Sequence, residues 1–460
     1  MRTLRVAVVG SGPAGAFCAQ ILAEETAHKV SVDVFERLPT PFGLVRYGVA
    51  PDHQKIKSIS ASLGEIFETP GVRFLGNVTV GSDVTVDELR EHYDAVVLAP
   101  GAPLDRRLGI AGEDLKGVVA ARNFVSWYSG HPDADFDTSL LAAERAVIVG
   151  VGNVALDVAR MLVRTPDELR RTDVPAHVVE TLADHAVREV CVVGRRGPES
   201  AKFTNKEFLE LAGVEGADVL VSPEELALAE EHQARVAGQP AVARLLASLR
   251  KVADREPQGQ PRSIRFLFNR TPVDFVGDAS VADVRLACTT DPSVVEELAT
   301  GLVLPAVGYR SVPLTGVPFS EATGTIPQRD SRVIDGDDIV PGLYVVGWAK
   351  RGPSGVIGTN RLCAADTAAA VLADAAAVPE RGTGSAAIDD LLRSRGVAVV
   401  DWSRWLAIEA AEMELGRASG RDRIKLHDRA DMLVAAGVVP AQAASSPTRT
   451  ELPLGASAAR

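Results

Sequence analysis

No two of the four cysteines, Cys18, Cys191, Cys288 and Cys363, are spaced as a C-x-x-C pair. That argues against an active disulfide, a structural zinc or an iron–sulfur cluster held by this chain. If the protein moves electrons, an organic cofactor must hold them. Long apolar runs are also missing, and none approaches the roughly 20 residues that span a bilayer. Positive charge is in deficit, 49 Lys and Arg against 61 Asp and Glu for a net charge of −12, which disfavours general nucleic-acid binding. The first residues run straight into the apolar stretch Val6-Ala7-Val8-Val9. That stretch belongs to a motif, so it is not the core of a signal peptide, and a cytoplasmic location is expected.

At 460 residues, with 46% hydrophobic and 24% charged residues, the chain has an ordinary globular composition and enough length for two cores. Short apolar strands alternate with helical stretches, the pattern of a parallel sheet. Strands are predicted at 5–9, 31–35, 94–99, 146–149, 189–193, 264–268, 302–307 and 343–346. Helices are predicted at 13–26, 53–67, 153–164, 205–212, 241–254, 358–376 and 401–419. From about Ala441 the sequence is rich in Ala, Ser, Thr and Pro without apolar periodicity, which reads as a mobile tail.

One feature occurs twice. After Val6–Val9 comes Gly10-Ser11-Gly12-Pro13-Ala14-Gly15, a G-x-G-x-x-G turn. In a dinucleotide-binding unit Gly10 permits the tight turn and Gly12 lets the backbone approach a pyrophosphate. Gly15 lets the helix pack close, and the helix N-terminus faces the phosphate. Glu36 ends the next strand, about twenty residues past the last glycine, where a carboxylate accepts hydrogen bonds from ribose hydroxyls. A structural turn with a surface glutamate is the plainer reading.

The second copy is Gly150-Val151-Gly152-Asn153-Val154-Ala155, with Ala155 in the third small position. Its next strand, Val190–Val193, ends in Gly194-Arg195-Arg196-Gly197 rather than an acidic residue. Two arginines there suit a 2′-phosphate, which favours NADPH over NADH; solvated turn residues are the alternative. Residues 165–188 are inserted between helix and strand, so the usual spacing fails. Two nucleotide sites imply two cofactors in contact, and a flavin suits the first because it takes up a hydride and releases single electrons.

At this point the chain resembles the adrenodoxin-reductase-like ferredoxin–NADP+ reductases, from Val6 to about Lys425. The resemblance rests on both glycine turns and on Pro39–His53, Tyr93–Ala99, Gly194–Pro198, Val307–Ser311 and Gly347–Asn360. It implies that NADPH reduces FAD, which passes single electrons to a ferredoxin feeding an oxygenase such as a cytochrome P450. By the same resemblance Ala14, Glu36, Leu44, Val80, Trp348, Gly355, Val356 and Ile357 contact FAD. Gly152, Asn153, Val154, Arg195, Arg196 and Glu207 hold NADPH, and Gly355 touches both. His53 and Glu210 match a polar pair near the flavin in such enzymes and are the candidate catalytic residues.

The residues themselves support part of this. The block 347–360 is glycine-rich and opens a helix, so its N–H groups and dipole can face a flavin's electron-rich edge. Trp348 offers a flat face, though a tryptophan can equally be core. Asp52 is expected to cap the helix that carries Ile56, Ile59, Leu63 and Phe67, which leaves His53 either a first-turn residue or a proton relay. Glu210 is either that relay's partner or an exposed helical glutamate. Pro100 replaces a residue expected to donate a backbone N–H, at the cost of one hydrogen bond; residues 320–330 carry no recognisable feature.

The predicted architecture is α/β, two Rossmann-like three-layer domains of the glutathione-reductase-like kind, the second inserted in the first. An FAD domain of 1–104 and 313–460 would enclose an NADPH domain of 105–312. A net negative enzyme needs a local basic patch to dock an acidic ferredoxin. Arg244, Lys251 and Arg255 share one face of the helix at 241–254, with Leu245, Leu249 and Val252 opposite and Arg235 and Arg250 nearby; a solvated helix face explains them equally. Competing functions are reduction of a small molecule such as a quinone, flavin monooxygenation, and a non-enzymatic FAD-bound redox sensor. The missing cysteine pair disfavours a disulfide reductase.

Overall fold

A computed structural model describes residues 3–228, 230–376 and 385–438. The tail expected from about 441 lies outside the described residues. Seven strands form one sheet in the order Gln328–Arg329, Arg332–Asp335, Asp338–Val345, Ala95–Leu98, Thr3–Val9, Lys29–Glu36, Val72–Gly76. From Asp338–Val345 to Val72–Gly76 the strands are parallel, while the first two pair antiparallel at one edge. Five strands form a second, wholly parallel sheet in the order Leu302–Pro305, Arg145–Val149, Glu189–Val193, Arg262–Leu267, Ala217–Val221. Every strand of the second sheet falls between two strands of the first along the chain. This is the doubly wound architecture, one unit inserted in the other, that the βα alternation predicts.

Each parallel sheet is buried on both faces, as helical crossovers require. On the second sheet, Ile148, Val190, Val192 and Phe266 face the helices that carry Leu156, Leu182 and Leu249. Val147, Val149 and Val193 face a three-stranded antiparallel sheet, Arg270–Val276, Asp283–Cys288 and Val295–Ala299, through Phe275, Val284 and Leu286. The sequence reading missed that small sheet. A two-stranded ladder of Leu104–Asp105 against Tyr309–Arg310 joins the units where the chain leaves the first sheet and returns to it.

The helix expected at 53–67 is broken. Gln54–Lys57 and Ile59–Glu68 are separate, divided at Ser58. Asp52 does not cap it. His53 occupies the N-cap position and makes no side-chain cap bond, and the Asp52 carboxylate is directed elsewhere, as described below. Among the described residues no helix is long and apolar enough to cross a membrane, and all four cysteines are free thiols.

The seam between the units is charged and largely buried. Arg46 pairs with Glu412, both buried, and the buried Lys425 ammonium donates to the carbonyls of Arg46 (2.8 Å) and Ser129 (3.0 Å). Lys57 reaches Asp173 at 2.7 Å across the same seam. Histidines lie nearby in tilted ring contacts, His131 against Tyr47 with ring centres 4.8 Å apart and His177 against His427 at 4.1 Å. Burial pushes the pKa of His131, His177 and His185 down to about 4 in each case. Their folded values lie below the ordinary value of about 6.5, so the unfolded chain binds more protons between the two and stability is lost as pH falls through that window. The urea midpoint of unfolding is therefore expected to drop between about pH 6.5 and pH 4, and a midpoint that stays flat there would contradict neutral burial of these rings.

Candidate functional site

The first glycine turn is built as its chemistry requires. Gly10 has φ of 111°, and a side-chain carbon there would lie 2.2 Å from the carbonyl oxygen of Ala99. One on Gly15 would lie 2.0 Å from the carbonyl oxygen of Gly10. Gly12 differs: it occupies the N-cap of helix Pro13–Ala23 without a side-chain cap, and the space beside it is open. The first N–H groups of that helix are thus left for an outside acceptor. Glu36 sits at the same turn, accepting from the Ser11 amide (3.1 Å), the Ser11 hydroxyl (2.6 Å) and the Leu38 amide (3.0 Å).

Other chain segments converge on this opening. Gly43, with φ of 51°, would bring a side-chain carbon to 3.2 Å from Gly12 Cα, and the exposed Leu44 follows it. A carbon on Gly347 would lie 2.6 Å from the Ala14 side chain, and the half-buried Trp348 follows that. Trp348 stacks on Tyr309, rings 5.8 Å apart and 21° from parallel. Gly355, Val356 and Ile357 open the helix Ile357–Asp374, which packs along Pro13–Ala23, and Val356 is 74% exposed. Val80 is half-buried against the cluster that holds Val9, Phe35, Val78 and Ala349.

The second turn repeats the first. Gly150 has φ of 140° and would meet the Ala306 carbonyl oxygen at 2.4 Å; Gly152 is an uncapped N-cap with open space beside it. The buried Ala155 takes the third small position. Asn153 Oδ1 accepts from the Thr204 amide at 3.1 Å, while the amides of Lys202 and Phe203 bond the Val151 carbonyl at 2.8 and 3.2 Å. These bonds hold the helix Asn205–Leu211, with Glu207 and Glu210, beside Gly152 and Val154. Gly194 touches Val151, so Arg195 and Arg196 follow directly at this turn. Both are exposed, and neither guanidinium has an acceptor among the described residues.

Between the turns lies a buried ionic cluster. Helix Asn153–Val163 carries Asp157 and Arg160, and Arg160 has no exposed surface. Arg160 Nη2 donates to Asp157 Oδ1 (2.6 Å) and Asp52 Oδ1 (3.2 Å), and Arg164 Nε donates to Asp52 Oδ2 (2.9 Å). Burial disfavours the Asp52 carboxylate, but the guanidinium of Arg160, and behind it Arg164, hold its pKa well below the usual range. His53 joins the same cluster: Nε2 lies 3.0 Å from both Asp157 Oδ1 and Glu207 Oε2, and Nδ1 lies 3.4 Å from Glu210 Oε2. Glu207 Oε2 is near but out of line for a hydrogen bond.

A family model described as pyridine nucleotide-disulphide oxidoreductase matches residues 4–191. NADPH-ferredoxin reductase FprA of Mycobacterium tuberculosis is 43% identical over 458 residues, covering 94% of this chain and 99% of that protein. The mitochondrial NADPH:adrenodoxin oxidoreductase of Arabidopsis thaliana is 39% identical over 469 residues, covering 95% and 96%. The chain belongs to the adrenodoxin-reductase-like ferredoxin–NADP+ reductases. The solved structure of Mycobacterium tuberculosis FprA in complex with NADPH agrees with this reductase fold at a TM-score of 0.89, with 41% identity and coverage of 95% of this chain and 100% of that one.

Within this reductase the structure brings His53, Glu207 and Glu210 together. It also adds Asp52, Asp157 and Arg160, which the sequence reading did not assign to the site. A signal for two of them was present: Asp157 and Arg160 interrupt an otherwise apolar helical run at i, i+3, and charges at such positions need partners. Asp52 lies in the block 39–53 but its partner is 108 residues away. Removing one member of a buried pair leaves the other charge uncompensated. Asp52→Ala is therefore expected to lower the stability of the reductase by about 3–5 kcal/mol, read from denaturant unfolding of the purified protein. A loss well under 1 kcal/mol, the range of solvent-screened pairs, would show that water reaches the cluster.

Proposed function

We propose that the chain binds FAD at the Gly10–Gly15 turn and NADPH at the Gly150–Ala155 turn, and passes electrons from NADPH to a ferredoxin. The observation that carries this is the pairing of two uncapped helix N-termini, each with open space at its N-cap glycine. Glu36 stands beside one turn, and Arg195 and Arg196, without an acceptor among the described residues, stand beside the other. The donor sets fit the groups. Amides and a carboxylate suit a pyrophosphate and ribose hydroxyls, and free guanidiniums suit a 2′-phosphate that a carboxylate would repel.

Gly10, Gly12, Ala14, Gly15, Glu36, Leu44, Val80, Trp348, Gly355, Val356 and Ile357 form the FAD side in this reading. Gly152, Asn153, Val154, Arg195, Arg196 and Glu207 form the NADPH side. FAD, when bound, supplies the conversion of a two-electron donor into single electrons. The protein's part is to hold the nucleotides, keep the seam buried and orient His53 and Glu210 beside the reacting rings. The corresponding domains are 1–104 with 313–460 for FAD and 105–312 for NADPH. A cytoplasmic location and an oxygenase downstream, such as a cytochrome P450, complete the proposal.

For the ferredoxin, helix Pro240–Ala253 offers a basic face. Arg244 and Lys251 are exposed on it and Arg255 just beyond it, while Leu245, Leu249 and Val252 are buried beneath. Attraction to an acidic partner at such a face acts mainly on association and weakens with salt. NADPH turnover with a ferredoxin is expected to exceed turnover with a quinone at matched concentration, and the double reversal Arg244→Glu, Lys251→Glu to slow only the ferredoxin reaction at low salt. Faster quinone turnover would overturn the acceptor. An unchanged ferredoxin rate in the double variant would move the docking face elsewhere.

A further inference from the structure

The turn that carries Arg195 and Arg196 is held from outside its own βα unit. Its three successive carbonyls each accept a bond from the small antiparallel sheet or from the residues at its ends. The Arg270 amide donates to Gly194 (2.9 Å), the Thr289 hydroxyl to Arg195 (2.8 Å) and the Asn269 amide to Arg196 (3.2 Å). Asn269, in the left-handed region with φ of 53°, also accepts from the Thr289 amide at 2.8 Å. The Thr289 hydroxyl lies 3.2 Å from that of Thr271 on the neighbouring strand. Residues 269–271 and 289 are thus tied to one another and to the arginine turn, although 94 positions separate Thr289 from Arg195.

These bonds matter because the two guanidiniums have no partner of their own to place them. Both side chains are exposed, and neither has an acceptor among the described residues. A free arginine side chain samples many rotamers, and ordering it on a phosphate costs affinity. What the protein can fix in advance is the backbone from which the side chain starts. Two of the three bonds come from backbone amides and are indifferent to the side chain that bears them. Thr289 makes the only side-chain bond to these carbonyls among the described residues. Arg270, whose amide adjoins the turn, faces Glu296 (3.5 Å) and Glu225 (3.9 Å), which leaves the phosphate to Arg195 and Arg196.

We propose that Thr289 is a positioning residue for nucleotide specificity, whose hydroxyl fixes the Arg195 backbone so that the arginine pair is set for a 2′-phosphate. This deepens the reading of Arg195 and Arg196 as the 2′-phosphate site and rests on it. It also gives the small sheet a role beyond covering one face of the parallel sheet. The hydroxyl acts only through the arginines, so its loss falls on nucleotides that carry the 2′-phosphate. A nucleotide without that group does not draw on the clamp. A merely structural threonine would affect both kinds of nucleotide alike.

The test measures binding rather than turnover, by calorimetry on the flavin-loaded protein with NADP+ and, separately, NAD+, which differ only in the 2′-phosphate. Thr289→Val removes the hydroxyl and keeps the shape, and because Thr289 is exposed the core is untouched. This variant is expected to bind NADP+ about fivefold more weakly, the effect of one ordinary hydrogen bond. Its affinity for NAD+ is expected to match the wild type, and Thr289→Ser, which keeps the hydroxyl, to restore NADP+ binding. Wild-type affinity for NADP+ in Thr289→Val overturns the proposal. So does an equal loss for both nucleotides, or a loss that Thr289→Ser shares. The double variant Arg195→Ala, Arg196→Ala tests the reading beneath it and is expected to abolish the preference for NADP+. A preference that survives there overturns the assignment of the arginines, whatever Thr289 does.

Discussion

The guanidinium of Arg160, with no exposed surface, is bound to a carboxylate that arrives from the other half of the molecule. Asp52 lies in the first unit, between the short helices Leu44–Tyr47 and Gln54–Lys57; Arg160 lies two turns into the helix that begins at the second glycine turn. Leaving the buried Asp52 carboxylate or the Arg160 guanidinium without the other is costly, which ties the two turns to one another. Such a pair adds little net stability compared with an apolar contact of the same size. Its effect is on placement, and placement is what two nucleotide sites sharing one reaction need most.

The rest of the seam acts in the same sense. Lys425 crosses from the C-terminal segment to the carbonyls of Arg46 and Ser129, Lys57 crosses to Asp173, and Arg46 is held by Glu412. In doubly wound sheets the helix N-termini stand at the carboxyl ends of the strands, and Pro13–Ala23 and Asn153–Val163 begin in this way directly after Thr3–Val9 and Arg145–Val149. The open backbone at Gly12 and Gly152 therefore has a structural cause. A side chain is sterically excluded from Gly10, Gly15 and Gly150, whereas at Gly12 and Gly152 no described atom lies within 4 Å of where a side chain would start.

Both glycine turns were legible in the sequence because their requirement is local. A positive φ and a carbonyl 2.2 Å away admit only glycine, whatever surrounds the turn. The arginine pair after Val193 was legible for the same reason, since strand, turn and charge are contiguous. The antiparallel sheet of Arg270–Val276, Asp283–Cys288 and Val295–Ala299 was not, because Pro272 and charged residues such as Asp274 and Glu296 blur its alternation. The split of 53–67 at Ser58 and the true partner of Asp52 were hidden as well. Asp52 at a helix start looks like a cap, and only the approach of Arg160 from a distant segment redirects it.

The most direct test of two nucleotide sites working as one is an anaerobic visible spectrum of the purified protein, titrated with NADPH and, separately, with NADH. The account predicts a bound-flavin band that bleaches with NADPH at far lower concentration than with NADH, because Arg195 and Arg196 select the 2′-phosphate. No flavin band, or a band that both nucleotides bleach alike or not at all, would contradict it.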